Sequence, residues 1–157
     1  MNQIIIHEPY TDIEIKFGLE DISINIYKFA KDFLKENYDI DFRIHFEIVD
    51  NIADGTGITA GALVTKQTMC NDKVLYEVSD KIELLRSFFE VFNSRVLLNI
   101  IKHELIHYAL FEKYGTGCND GDELFESECK RLGIEWEITN LPDIINSLTC
   151  LVLAIKS

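Results

Sequence analysis

The 157-residue chain carries 27 acidic and 15 basic residues, a formal net charge of −12. This acidity, without a window rich in Lys and Arg, argues against autonomous nucleic-acid binding. The length fits one domain, 1–157, and no apolar run is long enough to indicate a membrane span. The four cysteines form no C-x-x-C pair and the amino terminus has no signal-peptide pattern, so we expect free thiols and a cytoplasmic location.

Hydrophobic periodicity predicts the secondary-structure elements in chain order. Residues 1–17 contain an alternating apolar pattern that predicts a strand or an ordered arm. An amphipathic helix is predicted next, over 19–37, capped by Asp21 or Ser23. Three strands follow, over 42–48, 58–65 and 74–78, with turns between them at 54–57 and 71–72. Three helices are then predicted, over 81–92 with a cap at Ser79 or Asp80, over 93–114 ended by Gly115, and over 123–132 ended by Gly133. The apolar run at 144–155 predicts a packing segment over 134–157, or else a partner surface.

His103, Glu104 and His107 form an H-E-x-x-H motif in the longest predicted helix. Residues four positions apart share a helix face, so both imidazoles could bind one divalent ion, and Zn²⁺ is the usual guest. Glu104 is offset from that face and suits a general base that takes a proton from a metal-activated water. A simpler interpretation makes the two histidines partly buried side chains with backbone or carboxylate partners. The apolar helix favours the metal, because a buried Glu and two His are costly unless satisfied.

A catalytic zinc ion needs three protein ligands and one open position. No histidine follows His107, so the third ligand is expected to be a carboxylate, Asp122 or Glu126, or else His45 from a strand. Asp122 and Glu126 lie one turn apart after the glycine-rich loop. Acidic residues are also common at helix starts because they complement the helix dipole, and that explanation covers Asp120 and Asp122 without any metal.

Residues 58–133 resemble the SprT-like zinc metallopeptidases, which include the Spartan proteases. The resemblance is carried by Ala60-Gly61 in a strand, an aliphatic strand from Val74 to Ser79, the H-E-L-I-H sequence from His103 to His107, and Asp120-Gly121 before a helix bearing Phe125. In that family a histidine typically follows the loop glycine as third ligand. Asp122 stands at that place here, so the resemblance implies Asp122 as the ligand, with Glu126 as second choice. The sequence shows no zinc ribbon or basic extension like those found in some relatives, so we expect a stand-alone domain.

The residues and the resemblance together predict an α+β, zincin-like fold, in which a small, mostly antiparallel three-stranded sheet packs on helices that include the H-E-x-x-H helix. They predict a zinc-dependent peptidase with Glu104 as general base and a protein or peptide substrate paired to an edge strand. One alternative is a catalytically inactive module of the same type that binds zinc or a partner. Another is a metal-dependent hydrolase of a different bond. The oligomeric state is left open.

Overall fold

A computed structural model describes residues 1–7, 12–52, 60–116 and 118–134, and within them the fold is mixed α+β, with two three-stranded sheets and four helices. In chain order the elements are β1 (Gln3–His7), β2 (Asp12–Phe17), β3 (Ile22–Asn25), α1 (Ile26–Tyr38), β4 (His45–Val49), β5 (Gly61–Cys70), β6 (Lys73–Leu85), α2 (Arg86–Val91), α3 (Ser94–Tyr114) and α4 (Glu123–Arg131). None of these helices is long and apolar enough to cross a membrane. The predicted turn at 54–57 and the predicted tail beyond Ile134 lie outside the described residues.

The first sheet is antiparallel, in the order β1-β2-β3. Alternation along β2 directs Ile13, Ile15 and Phe17 into the core, and all three are buried. The opposite face carries Glu14 and Lys16, as expected for a sheet with one buried side. Of the two alternatives for residues 1–17, the structure therefore shows strands.

Helix α1 begins seven residues later than predicted. Its cap is Asn25, whose side-chain oxygen accepts from two backbone amides of the first turn at 3.0 and 3.1 Å. The predicted caps, Asp21 and Ser23, are wrong because Ile22 and Ile24 extend the chain as β3 and pair with β2. Isoleucine at every second position satisfies a strand as well as a helix start, and β-branched side chains favour the strand.

The second sheet has the order β4-β6-β5, with β6 in the centre. Strand β4 is parallel to β6, and β5 is antiparallel to it, so one of the two pairings departs from the predicted antiparallel pattern. β5 therefore does not return beside β4, because β6 lies between them. β4 itself starts at His45, later than predicted, and the buried Phe42 precedes it as core.

Strand β6 continues through Ser79 and Asp80, which were predicted to cap a helix over 81–92. That prediction is wrong as far as Leu85. Ile82 and Leu84 are both fully buried and alternate with polar residues, which is the period of a strand. Only α2 remains of the predicted helix. The turn between β5 and β6 is confirmed at Asn71 and Asp72, which have φ angles of 51° and 61°.

Helix α3 is the central element of the core and contacts α1, β5, β6 and α4. Asn93 caps it by accepting from the backbone amide of Val96 at 3.0 Å, and Gly115 ends it with a left-handed φ of 69°. Both ends lie where the sequence predicts them. The short helix α4 is also confirmed, with Asp122 at its amino-terminal cap position. The H-E-x-x-H segment therefore lies on a buried helix that is held on several sides.

Candidate metal centre

Helix α3 brings His103 and His107 onto one face, as the four-residue spacing predicts. Their Nε2 atoms lie 2.9 Å apart and their rings are nearly perpendicular, at 86°. His103 and Glu104 are the two polar residues that the described core buries, with 3% and 4% of their surface exposed. Two imidazole nitrogens that face each other inside a protein need a proton or a cation between them, because both lone pairs are electron-rich.

Asp120 completes the cluster from the loop between α3 and α4. Its Oδ1 atom lies 2.8 Å from His107 Nε2 and 3.2 Å from His103 Nε2. Ligand atoms about 2.0–2.1 Å from a tetrahedral zinc ion stand roughly 3.3 Å apart. The three separations here, 2.8, 2.9 and 3.2 Å, form a somewhat tighter triangle of the same kind. The Asp120 side chain is 63% exposed, whereas those of the histidines are 4% and 12% exposed. The three residues could therefore hold a metal ion with one side open to solvent.

The carboxylate that meets the histidines is neither of the two that the sequence predicted. Asp122 turns back into its own loop and accepts from the backbone amide of Asn119 at 2.9 Å, and Glu126 is likewise outside the group of three. His45 is exposed on β4 and is not part of the group either. The sequence explains Asp120 as an ordinary acidic residue near a helix start and does not select it as a ligand. The Asp122 side chain makes no cap hydrogen bond to α4 and instead closes the loop on the Asn119 amide, a contact that no sequence pattern predicts.

Hydrogen bonds and burial around the three candidate ligands determine their protonation. The Nδ1 atom of His107 faces the carbonyl oxygen of Cys118, so an Nδ1–H group donates there and Nε2 is the ring nitrogen that faces Asp120. Burial lowers the pKa of His103 to about 4. Burial also opposes the charge on His107, but Asp120, Glu104 and the Cys118 carbonyl outweigh it and raise that pKa. Hydrogen bonds from both histidines hold the pKa of Asp120 below its usual value.

Glu104 is buried between α3 and the start of β5. Its carboxylate accepts from the backbone amide of Leu63, and burial raises its pKa to about 7. Glu104 Oε1 lies 3.8 Å from His103 Nε2, beside the cluster rather than within it. The contact with β5 requires Gly61, because a Cβ atom there would lie 3.1 Å from Glu104 Cγ and 3.3 Å from Ile100 Cγ2. The glycine lets the strand approach the helix at the level of Glu104.

Tyr108 anchors α3 on the side away from the cluster. Its ring is buried and meets Phe42 edge-to-face, with 5.5 Å between centroids. Its hydroxyl donates to the carbonyl of Asp41 at 3.0 Å and accepts from the amide of Arg43 at 3.1 Å. These bonds tie the segment before β4 to the residue that directly follows His107.

Comparison of the chain with protein-family models, with curated proteins and with solved structures found no match. The resemblance to the SprT-like peptidases therefore rests on the motif residues alone, and family membership stays a prediction.

Proposed function

We propose that this protein is a zinc-dependent peptidase of the SprT-like type, with a zincin-like arrangement of sheet and helix, whose metal is held by His103, His107 and Asp120. The observation that carries the proposal is the convergence of three ligand atoms within 3.2 Å of one another, open to solvent on the Asp120 side and flanked by a buried glutamate. The change from the sequence prediction is the third ligand, which is Asp120 in place of Asp122.

The neighbouring glutamate favours hydrolysis over other chemistry. Two imidazoles and a carboxylate also bind Fe(II) in oxygenases, so the ligands alone do not select the metal. Glu104 adds a carboxylate that is anchored by the Leu63 amide and lies 3.8 Å from a ligand nitrogen, near enough to contact a water at the open position. A zinc ion bound there would supply Lewis acidity that acidifies a water and polarises a carbonyl group. Glu104 accepts the water's proton and later passes it to the leaving amine.

The second sheet supports a polypeptide substrate. Within the described part of the chain, β5 pairs with β6 on one side only, so no strand covers its other edge. The same strand contacts Glu104 through Leu63 and Gly61. An extended peptide added along this edge would pair through its own backbone and place a carbonyl near the general base.

Zinc content tests the ligand set. The protein is purified without added metal and bound zinc is quantified by mass spectrometry, in the parent and in Asp120→Asn, Asp122→Asn and Glu126→Gln. We expect about one zinc per chain in the parent, as three ligands and an open position imply, and a loss confined to Asp120→Asn. The other two variants are matched controls, because each removes a nearby carboxylate charge from the same loop and helix. Zinc lost in Asp122→Asn and kept in Asp120→Asn would refute the assignment.

Glu104→Gln tests the chemistry separately from binding. This variant keeps the shape of the side chain but cannot accept the proton, so cleavage of an unfolded protein substrate should fall to background while zinc stays bound. Cleavage at the parent rate would sink the mechanism. A parent that holds a full complement of zinc and cleaves no unfolded polypeptide would instead support the non-catalytic zinc-binding or partner-binding module.

A further inference from the structure

One aromatic ring contacts both histidines of the cluster. Phe125 of α4 is fully buried, and its ring lies parallel to that of His107, with 3.9 Å between centroids and 6° between planes. The same ring meets His103 nearly at a right angle, with 4.8 Å between centroids and 81° between planes. Phe125 therefore forms one wall of the site, on a helix other than the one that carries the histidines.

This wall restricts the rotation of His107. Turning the imidazole about its Cβ–Cγ bond would drive a ring edge into the face of Phe125, because parallel rings 3.9 Å apart are already in contact. The opposite constraint is the Cys118 carbonyl, which faces Nδ1. Together these contacts leave Nε2 as the nitrogen that faces His103 and Asp120. All of them come from the segment 118–125, which also supplies the carboxylate.

We infer that Phe125 is a positioning residue, whose ring holds the imidazoles of His103 and His107 so that both Nε2 atoms face the metal. The inference rests on the metal site of the proposed function and adds a role for a residue that ligates nothing. Its consequence is that the docking of α4 on α3 and the binding of metal are coupled, because the ring that aligns the ligands belongs to α4. Groups that orient metal ligands without touching the metal commonly affect its affinity by 10–100-fold.

The test compares two buried phenylalanines. Phe125→Leu removes the flat ring at the site, and Phe89→Leu makes the same change at a fully buried position of α2. The affinities of the purified chains for Co²⁺ and Zn²⁺ are measured by competition with a chromophoric chelator, and the visible absorption of the Co²⁺ form reports its coordination geometry. We expect binding about tenfold weaker and altered Co²⁺ bands in Phe125→Leu, with affinity and bands of Phe89→Leu close to those of the parent.

The outcomes separate this inference from the proposed function. Equal affinities and identical Co²⁺ bands in the two folded variants would overturn the role of Phe125 while the metal site stood. A parent chain that binds neither ion would refute the metal site itself, and the inference with it. If Phe125→Leu does not fold by circular dichroism, then Phe125→Met, which fills the space with a flexible side chain, is compared with Phe89→Met and judged by the same two readouts.

Discussion

Gly61→Ala should disturb the site through a single methyl group. The added Cβ would lie 3.1 Å from Glu104 Cγ, 3.3 Å from Ile100 Cγ2 and 3.4 Å from Glu104 Oε1, where ordinary contacts are 3.4–4 Å. Neither near neighbour is free to withdraw, since Ile100 is buried in α3 and the Glu104 carboxylate is held by the Leu63 amide. One extra methyl group in a packed core lowers the free energy of unfolding by about 1–3 kcal/mol. Alanine also reduces the conformational entropy of the unfolded chain relative to glycine, which offsets about 0.4–1 kcal/mol of that loss.

The net loss should therefore be about 1–2 kcal/mol in the free energy of unfolding, measured by urea denaturation. For a chain of this size it corresponds to a fall of roughly 2–8 °C in Tm. Activity should fall by more than stability implies, because the displaced atoms belong to the general base. We expect kcat/KM on an unfolded protein substrate to drop at least about tenfold, since small misplacements of reacting groups have effects of that order. Zinc content should stay at the parent value.

Gly18→Ala is the matched control. Its Cβ would meet only the backbone oxygen of Met1, at 3.3 Å, at the end of the chain and away from the cluster. We expect parent activity there and a smaller change in stability. If Gly61→Ala kept both parent stability and parent kcat/KM, the close approach of β5 to Glu104 would not be what positions the base, and the reasoning would fail.

Three further measurements follow from the fold and the site. Tyr108→Phe should lower the free energy of unfolding by about 1–3 kcal/mol with zinc retained, because the carbonyl of Asp41 and the amide of Arg43 lose their hydrogen-bond partner. Unchanged stability would mean that water replaces the hydroxyl. Asn93→Ala should lower it by about 1 kcal/mol through the lost cap on the Val96 amide, and Asn93→Ser should restore most of that loss. Chelation of bound metal should lower Tm by roughly 5–10 °C where free zinc had been about 100 times its Kd, and a Tm indifferent to chelator would contradict a ligand cluster built into the fold.

The helices around the site follow from local chemistry, which is why the sequence predicts them. Asn93 and Gly115 bound α3 by capping rules that act within a few residues. The strands were harder to delimit because residue types that extend a strand can also begin a helix, and pairing with a partner strand decides between them. Ser79-Asp80 looks like a helix cap, yet the register between β5 and β6 shifts at this point and Asp80 forms an ion pair with Lys66 at 3.2 Å. This bulge falls at a Ser-Asp pair, and both residue types are also preferred at helix starts.

The candidate site likewise has a part that the sequence predicts and a part that it does not. His103, Glu104 and His107 share one helix, so their spacing alone defines their relation in space. The third member comes from an irregular loop, where no period says which carboxylate turns inward. Asp120 and Asp122 are equivalent by type, and the difference arises from backbone geometry, because Gly121 between them takes a left-handed φ of 83°. Only the folded loop separates the carboxylate that faces the histidines from the one that closes the turn.

The candidate ligands and the group that restrains Glu104 come from different parts of the chain, so heat or denaturant can separate them at different points. His107 and Asp120 lie 13 positions apart, so the loop that unites the candidate ligands is short and its closure entropy is small. The amide that restrains Glu104 belongs instead to β5, an edge strand that pairs with β6 alone among the described strands, with Leu63 opposite Ile82. Under mild heat or denaturant the strand should detach before the ligand loop opens. Inactivation would then precede metal release, and zinc content would overestimate the fraction of competent molecules.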